Sequence, residues 1–274
     1  METDQGTARS AGGRKEACRR WIIYGTGLLL LAMGLTLNTK AGLGVSPIIS
    51  VSYSISLIWE LNFGDVTFCM YGVFVALQML LHANAAKRER RSARAQLWKD
   101  ALQLPLSVVF TRFLNLFGAL LPDLAADGAA ASLPVQIAAL LLAISLTGIG
   151  AAMSLGMRLV PNPGDGIVQA AADALKKNVG LMKNCVDAGC IVLSLGISAL
   201  FAGRLTGVGI GTVLAVFLTG RVIAVFNGLF YWKLAGLAGL LPVKAKMPAE
   251  KERTGGREAG SGKEGRDEGD NPGR

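Results

Sequence analysis

The sequence predicts an all-α polytopic membrane protein with six transmembrane helices, arranged as a 3+3 inverted repeat with two short broken or re-entrant helices. Three observations support this fold class: apolar runs of about 20 residues, a low content of charge, and a motif that recurs in the second half. Of the 274 residues, 51% are hydrophobic and 17% are charged, whereas soluble domains carry about 25% charged residues. Each run is long enough to cross a bilayer as a helix that pairs its own backbone groups. The composition therefore excludes a soluble globular protein.

The predicted membrane domain, residues 21–233, lies between a basic N-terminal segment, residues 1–20, and a charged tail, residues 244–274. The two ends carry 13 of the 28 basic residues and 10 of the 19 acidic residues. The tail has many glycines and no apolar periodicity, so we expect it to be a disordered cytoplasmic segment. The six predicted spans are residues 21–38, 64–82, 101–121, 134–155, 184–202 and 207–230.

Two further segments, residues 46–60 and 163–177, are too short or too polar to be spans, and each follows a turn rich in glycine and proline. The N-terminal segment carries five basic residues, and the connection 87–99 carries six. Basic connections face the cytoplasm, so an even number of crossings separates these two. Residues 46–60 therefore dip into the membrane and return, or lie on its surface. The same rule, continued along the chain, places both termini in the cytoplasm.

A shift of 116 residues aligns residues 34–69 with residues 150–185 without a gap, whereas matching the third span to the sixth needs a seven-residue gap. The two halves of the membrane domain are repeat A, about residues 21–121, and repeat B, about residues 134–230. Repeat A begins in the cytoplasm and repeat B begins outside, so the repeats are inverted, as in many secondary transporters. The matched positions are Gly34 and Gly150, Leu43 and Leu159, Pro47 and Pro163, Asn62 and Asn178, Gly64 and Gly180, and Cys69 and Cys185.

Corresponding short segments in two inverted halves predict a binding site near the midplane, where half-helix N-termini present free N–H groups. Pro47 and Pro163 fit the first turn of such helices, because a missing N–H is no loss there. Ser46 and Asn162 precede them and are favourable N-cap residues. The alternative is that both segments are interfacial amphipathic helices that bind nothing. We expect a structural role for the other repeated polar and small residues, Asn62, Gly64, Asn178 and Gly180.

Three charged residues within the predicted spans are further candidates for the site. Arg112 and Arg221 lie in the third and sixth spans, where a charge normally faces a bundle interior, a cavity or a partner. Beside two helix N-termini they favour an anionic or zwitterionic solute. The alternative is snorkelling, or a pair with Asp187 or another acid that only holds the bundle together. Asp187 itself is either a proton or cation site, or an i,i+4 partner of Lys183.

The sequence predicts no enzyme, no cofactor and no metal site. It contains one histidine and no H-E-x-x-H, Walker loop or nucleophile elbow, and an intramembrane enzyme needs a nucleophile with a base, paired acids or a metal. The four cysteines show no C-x-x-C spacing. The net charge of +9 follows from the basic cytoplasmic connections rather than from nucleic-acid binding.

Three stretches carry a family resemblance: A-G-L-G-V-S-P at 41–47, V-P-N-P-G-D-G-I-V at 160–168 and G-V-G-I-G-T at 207–212. In this order among apolar segments, they resemble the bacterial YczE/YitT-type integral membrane proteins. The resemblance covers roughly residues 21–230 and excludes both tails. It implies a multispanning protein of the bacterial cytoplasmic membrane. It implies no substrate and no functional residues.

Three functions agree with these observations. The first is a small-solute secondary transporter or facilitator with its site between the two half-helices. The second is a membrane-embedded binding subunit of an ATP-driven transporter. The third is a non-transporting scaffold or regulatory protein, with the basic connection 87–99 as its docking surface. The expected partners are the lipid bilayer and a small anionic or zwitterionic solute, and a homo-oligomer or a protein partner stays open.

Overall fold

The computed structural model describes residues 3–88, 90, 92–124, 132–203 and 207–240, with the side chains of the first helix described from Arg14 onward. Over this part of the chain the regular structure is helical. The tail that we expect to be disordered, residues 244–274, lies outside the described residues. The helices are α1 (Thr3–Ala41), α2 (Pro47–Ile58), α3 (Phe63–Arg88), α4 (Arg94–Ala101), α5 (Gln103–Leu120), α6 (Leu133–Gly156), α7 (Pro163–Leu175), α8 (Val179–Ile197), which continues into a π-helical turn (Ser198–Ala202), and α9 (Ile210–Leu237).

Six helical segments in the described residues are long and apolar enough to cross a membrane, which confirms the predicted all-helical fold with six spans. The third of them joins α4 and α5. α1 begins at Thr3, so the predicted N-terminal segment continues into the first span without a break. The six segments are Arg14–Ala41, Phe63–Arg88, Arg94–Leu120, Leu133–Gly156, Val179–Ala202 and Ile210–Leu237.

α2 and α7 are the two short helices, with 12 and 13 residues. At 1.5 Å per residue they are about 18–20 Å long, well short of the roughly 30 Å hydrocarbon core. Each starts with a proline, preceded by Ser46 or Asn162 in the N-cap position. Neither N-cap side chain makes a capping hydrogen bond, in contrast to our expectation. The proline at the first position begins these helices instead, because its backbone is already fixed near the helical conformation.

Contacts between helix ends show that the first span runs opposite to the fourth and the sixth. At one end, Arg20 of α1 donates from Nε to the carbonyl of Met157, 2.6 Å away, just after α6. Arg158 donates to the hydroxyl of Tyr231 near the end of α9, at 3.3 Å. α3 also ends on this side and leads into the connection 87–99, so we name it the basic end. At the opposite end, the amide of Val45 donates to the carbonyl of Gly207, 3.0 Å away, before α9 begins.

α1 and α6 cross so closely that glycine is needed at the contact, at Gly34 and Gly150 among other positions. A Cβ added at Gly34 would lie 2.5 Å from the backbone nitrogen of Thr147. A Cβ added at Gly150 would likewise meet the backbone nitrogen of Leu31. The carbonyl oxygens one turn earlier make the same exchange, Ala143 for Gly34 and Gly27 for Gly150. The two contacts therefore correspond: each residue of α1 in one contact is replaced, in the other contact, by the residue of α6 that lies 116 positions later.

Candidate functional site

The N-termini of α2 and α7 meet inside the bundle. A Cβ built on Gly164, in the first turn of α7, would lie 3.0 Å from Cγ1 of Ile48 in the first turn of α2. A cavity of about 50 Å³ lies at this junction, and we name it the central cavity. Its polar lining comes from five helices and from the residues before α2 and α7: Ser46, Tyr71, Thr147, Asn162, Asp165, Lys183 and Thr219.

The central cavity lies near the middle of several spans. Leu31, Tyr71, Thr147 and Ile223 line it, and each is close to the centre of its own span. Ser46 and Pro47 approach from the opposite end, and Asn162 and Pro163 approach from the basic end. The structure therefore brings together the four sequence-predicted residues at the starts of the short helices.

The start of α7 is held by polar side chains of α3 and α5. Asn162 donates from Nδ2 to the Tyr71 hydroxyl at 3.3 Å. Gln78 donates to the carbonyl of Pro163 at 3.1 Å, and Gln103 donates to Oε1 of Gln78 at 2.9 Å. Both glutamines are at most 1% exposed. These three partners were not among the predicted site residues, although an uncharged polar residue within an apolar run is the signal that marks them.

α2 is held by an analogous contact from α8. The hydroxyl of Ser194 donates to the carbonyl of Ser50 at 3.2 Å, and its oxygen lies 2.7 Å from the hydroxyl of Ser54. Ser194 and Gln78 are 116 residues apart. In each half, the residue at this position donates to a backbone carbonyl in the first turn of the other half's short helix.

Lys183 supplies the positive charge of the central cavity. Its Nζ lies 3.2 Å from Oδ2 of Asp187, one turn later on α8. The Asp187 side chain is 5% exposed and that of Lys183 is 37% exposed. The second carboxylate oxygen, Oδ1, is buried with no hydrogen-bond partner among the described residues. Asp165, in the first turn of α7, lines the cavity as well, so an ammonium and a carboxylate both border it.

The two arginines of the predicted site do not reach the central cavity. Arg112 pairs with Asp65 at 2.9 Å, and both side chains are more than half exposed. The amide of Gly64 donates to Oδ1 of Asn115 at 3.0 Å. Arg112, about one turn before Asn115 on α5, therefore lies near the first turns of α3. Arg221 is exposed on α9. The expectation that the two arginines lie beside the N-termini of the short helices is therefore wrong. The sequence does not show which face of an apolar helix carries a charged side chain.

The repeated asparagines begin the helices that follow the short ones. Asn62 accepts from the amide of Asp65 at 3.0 Å at the start of α3. Asn178 accepts from the amide of Gly180 at 2.7 Å at the start of α8. Gly64 allows close approach, since a Cβ there would overlap the side chain of Asn115. These contacts give the asparagines and Gly64 structural positions.

A second polar cavity, of about 400 Å³, lies at the basic end between α3, α4 and α7. His82 and Asp173 are among its lining residues. Nδ1 of His82 lies 2.7 Å from Oδ2 of Asp100, whose side chain is 1% exposed. This pair joins α4 to α3 and lies one turn from the two glutamines that hold α7.

The fold and the central cavity define a polytopic helical membrane protein with two short helices that begin at a common internal site. Residues 18–228 match the model of a family described as a family of unknown function (DUF6198), and the chain belongs to that family. This agrees with the resemblance noted from the sequence.

Two proteins of Bacillus subtilis (strain 168) are similar to the chain. The uncharacterized membrane protein YczE is 24% identical over 213 residues, which cover 77% of this chain and 86% of YczE. The uncharacterized protein YyaS is 27% identical over 213 residues, which cover 76% of this chain and 92% of YyaS. No solved structure matches the chain.

Proposed function

We propose that this protein is a small secondary transporter or facilitator of the bacterial cytoplasmic membrane, without enzymatic activity, and that its solute binds in the central cavity. The observation that carries the proposal is the meeting of two short helices at their N-termini beside Lys183. Short helices that begin near the midplane are the sites at which many secondary transporters bind their solutes.

An inverted repeat is part of this proposal. The reciprocal contacts of Gly34 and Gly150 support it, because each glycine meets the residue that corresponds to the other's neighbour. The matched donors Gln78 and Ser194 support it as well. Two halves related in this way allow one half to move against the other, so that the cavity opens to either side in turn.

The charges around the cavity favour a small zwitterionic or anionic solute. Each helix N-terminus carries about half a positive charge. Lys183, which pairs with Asp187 through one of its three donors, adds an ammonium group to the cavity lining, so a carboxylate of the solute is attracted to this junction. Asp165 offers a position for an ammonium group of the same solute. The cavity, of about 50 Å³, is far below the roughly 300–1,000 Å³ of typical ligand sites, so the proposal requires the cavity to widen when it admits the solute.

A binding screen tests the site. The full chain in detergent is unfolded thermally with small anions, zwitterions and cations, and a solute at about 100 times its Kd stabilises by roughly 2.7 kcal/mol. We expect this stabilisation for a zwitterion or an anion and not for a cation, and we expect Lys183→Gln to remove it. Lys177→Gln is the matched control, because Lys177 is exposed outside the cavity.

Lys183→Gln leaves the buried carboxylate of Asp187 without its partner, so Lys183→Gln/Asp187→Asn is measured beside it. A solute that stabilises the double variant as much as the wild type contradicts the proposed site. Uptake of the same solute into liposomes that contain only this protein then distinguishes a transporter from a binding subunit, which needs an ATPase partner for uptake.

The proposed orientation puts the basic end and both termini in the cytoplasm. On a cysteine-free background, we expect Lys99→Cys to react with a membrane-impermeant maleimide only after cell lysis. Asp123→Cys, after α5, is expected to react in intact cells. The reverse pattern contradicts the orientation.

A further inference from the structure

An apolar groove runs along the outside of the bundle between α2, α3 and α8. Its volume is about 700 Å³, and its walls are aliphatic side chains, a phenylalanine, a methionine and two cysteines. Val51 and Ile55 of α2 contribute to it, together with Val73 and Leu77 of α3 and Leu193 of α8. The groove is separate from the central cavity and is not needed for solute binding there.

The groove has the length of one bilayer leaflet. Its lining on α3 extends from Asp65 to Leu77, which is about 18 Å at 1.5 Å per residue. Half of the hydrocarbon core is about 15 Å. α3 and α8 belong to the membrane-spanning segments, so the apolar walls face hydrocarbon rather than water.

The length and the chemistry of the groove favour an acyl chain as its occupant. The walls are apolar along about 18 Å of α3, and a single flexible hydrocarbon chain fits a groove of this length. The groove is polar at one end, as expected for a lipid with one headgroup.

The polar end of the groove carries a pair of opposite charges. Asn62 and Asp65 line that end, and Asp65 pairs with Arg112 at 2.9 Å. The two side chains are 57% and 60% exposed, respectively, so both charges remain open to a headgroup. An ester phosphate is complementary to the guanidinium of Arg112, and an ammonium group is complementary to the carboxylate of Asp65.

We propose that this groove binds one acyl chain of a phospholipid with a zwitterionic phosphoethanolamine headgroup, from the leaflet at the end opposite the basic end. The chain lies along α3 between α2 and α8, and the headgroup lies over Asp65 and Arg112. The lipid thereby contacts the short helix α2 one to two turns beyond Ile48, which borders the central cavity.

Native mass spectrometry of the delipidated full chain tests the proposal, with phosphatidylethanolamine and phosphatidylglycerol of the same acyl composition. We expect one phosphatidylethanolamine to be retained in preference to phosphatidylglycerol. Val73→Trp fills the groove, and we expect this variant to retain phosphatidylethanolamine at least about tenfold less than the wild type. That factor follows when about two methylene groups of the acyl chain lose their burial. Val225→Trp on α9 is the matched control, because both valines are more than half exposed.

Asp65→Asn tests the headgroup, because the two lipids share the phosphate and differ in the ammonium group that Asp65 is proposed to bind; Asp173→Asn is the control for loss of an exposed aspartate. Asp65→Asn is expected to remove the preference for phosphatidylethanolamine, and Asp173→Asn is expected to keep it. Equal retention by Val73→Trp and Val225→Trp overturns the groove as the binding site. Equal retention of both lipids by the wild type overturns the headgroup assignment. Thermal unfolding of each variant shows whether it is folded, and Leu77→Trp replaces Val73→Trp if the latter is not.

Discussion

Gly34 and Gly150 allow a quantitative test of how α1 and α6 pack. The methyl group of Gly34→Ala would lie 2.5 Å from the backbone nitrogen of Thr147, where an ordinary contact needs at least 3.4 Å. Backbone cannot rotate away as a side chain can, so the helices must separate by about 1 Å. Overpacking of this kind costs about 3 kcal/mol at the upper end of its usual range, and the better helix propensity of alanine offsets about 1 kcal/mol. The expected net loss is about 2 kcal/mol.

Thermal unfolding in detergent measures this loss as a decrease in Tm of about 4–8 °C for a domain of this size. Gly150→Ala is expected to give a similar decrease because its contacts are the reciprocal ones. The double variant should lose less than the sum, since one separation of the helices relieves both contacts. Gly72→Ala and Gly228→Ala, where an added Cβ meets open space, serve as controls and keep the wild-type Tm or raise it. A Gly34→Ala variant as stable as Gly72→Ala refutes the packing argument.

Three further predictions concern polar contacts and are measured by the same unfolding assay. Lys183→Met leaves the buried Asp187 without its partner at 3.2 Å and is expected to cost about 3 kcal/mol. Lys183→Met/Asp187→Leu should recover most of it, and a double variant no better than the single one contradicts this account. His82→Leu removes the nearer of two side-chain partners of Asp100, at 2.7 Å, and should cost about 1–3 kcal/mol, so an unchanged Tm contradicts a stabilising contact between His82 and Asp100. Asn178→Ala removes the cap of α8 and should cost about 1 kcal/mol, in contrast to no loss if the cap contributes nothing.

The spans and the short helices were predictable from the sequence because simple physical limits determine them. The bilayer sets the length of an apolar run that can cross it, and a proline marks the first turn of a helix. The predicted short segments 46–60 and 163–177 contain α2 and α7, which begin at Pro47 and Pro163. The even number of crossings required by the basic connections agrees with these helices being too short to span.

The orientation of charged side chains was not predictable in the same way. α9 is apolar around most of its circumference, and very little of it is buried inside the bundle. Periodicity therefore does not show which face of α9 carries Arg221. Arg112 was placed by its position in the third span, but α5 extends past the start of α3, and the side chain reaches Asp65 at that end. Lys183 was considered only as a partner of Asp187, because its place at the cavity depends on how α8 packs against α2 and α7.

The buried glutamines were also missed. Gln78 and Gln103 carry no charge, and each lies on a different span, so only tertiary packing brings Gln103 to Gln78 and Gln78 to the carbonyl of Pro163. A search for uncharged polar residues within apolar runs marks both positions. It does not show that they meet, because that contact depends on the packing of α3 against α5.

Disulfide cross-linking tests most directly whether α2 and α7 meet at their N-termini. The four native cysteines are replaced by serine, and Ile48→Cys/Gly164→Cys is introduced, with a protease site between α5 and α6 to separate the halves. Cγ1 of Ile48 lies 3.0 Å from a Cβ at position 164, so the two sulfurs are within bonding reach. We expect an oxidant to link the halves in native membranes and to abolish stabilisation by the solute. Ile58→Cys/Gly164→Cys, about 15 Å further along α2, should stay unlinked. Efficient linkage of the control pair, or none of the test pair, contradicts a common site at the two helix starts.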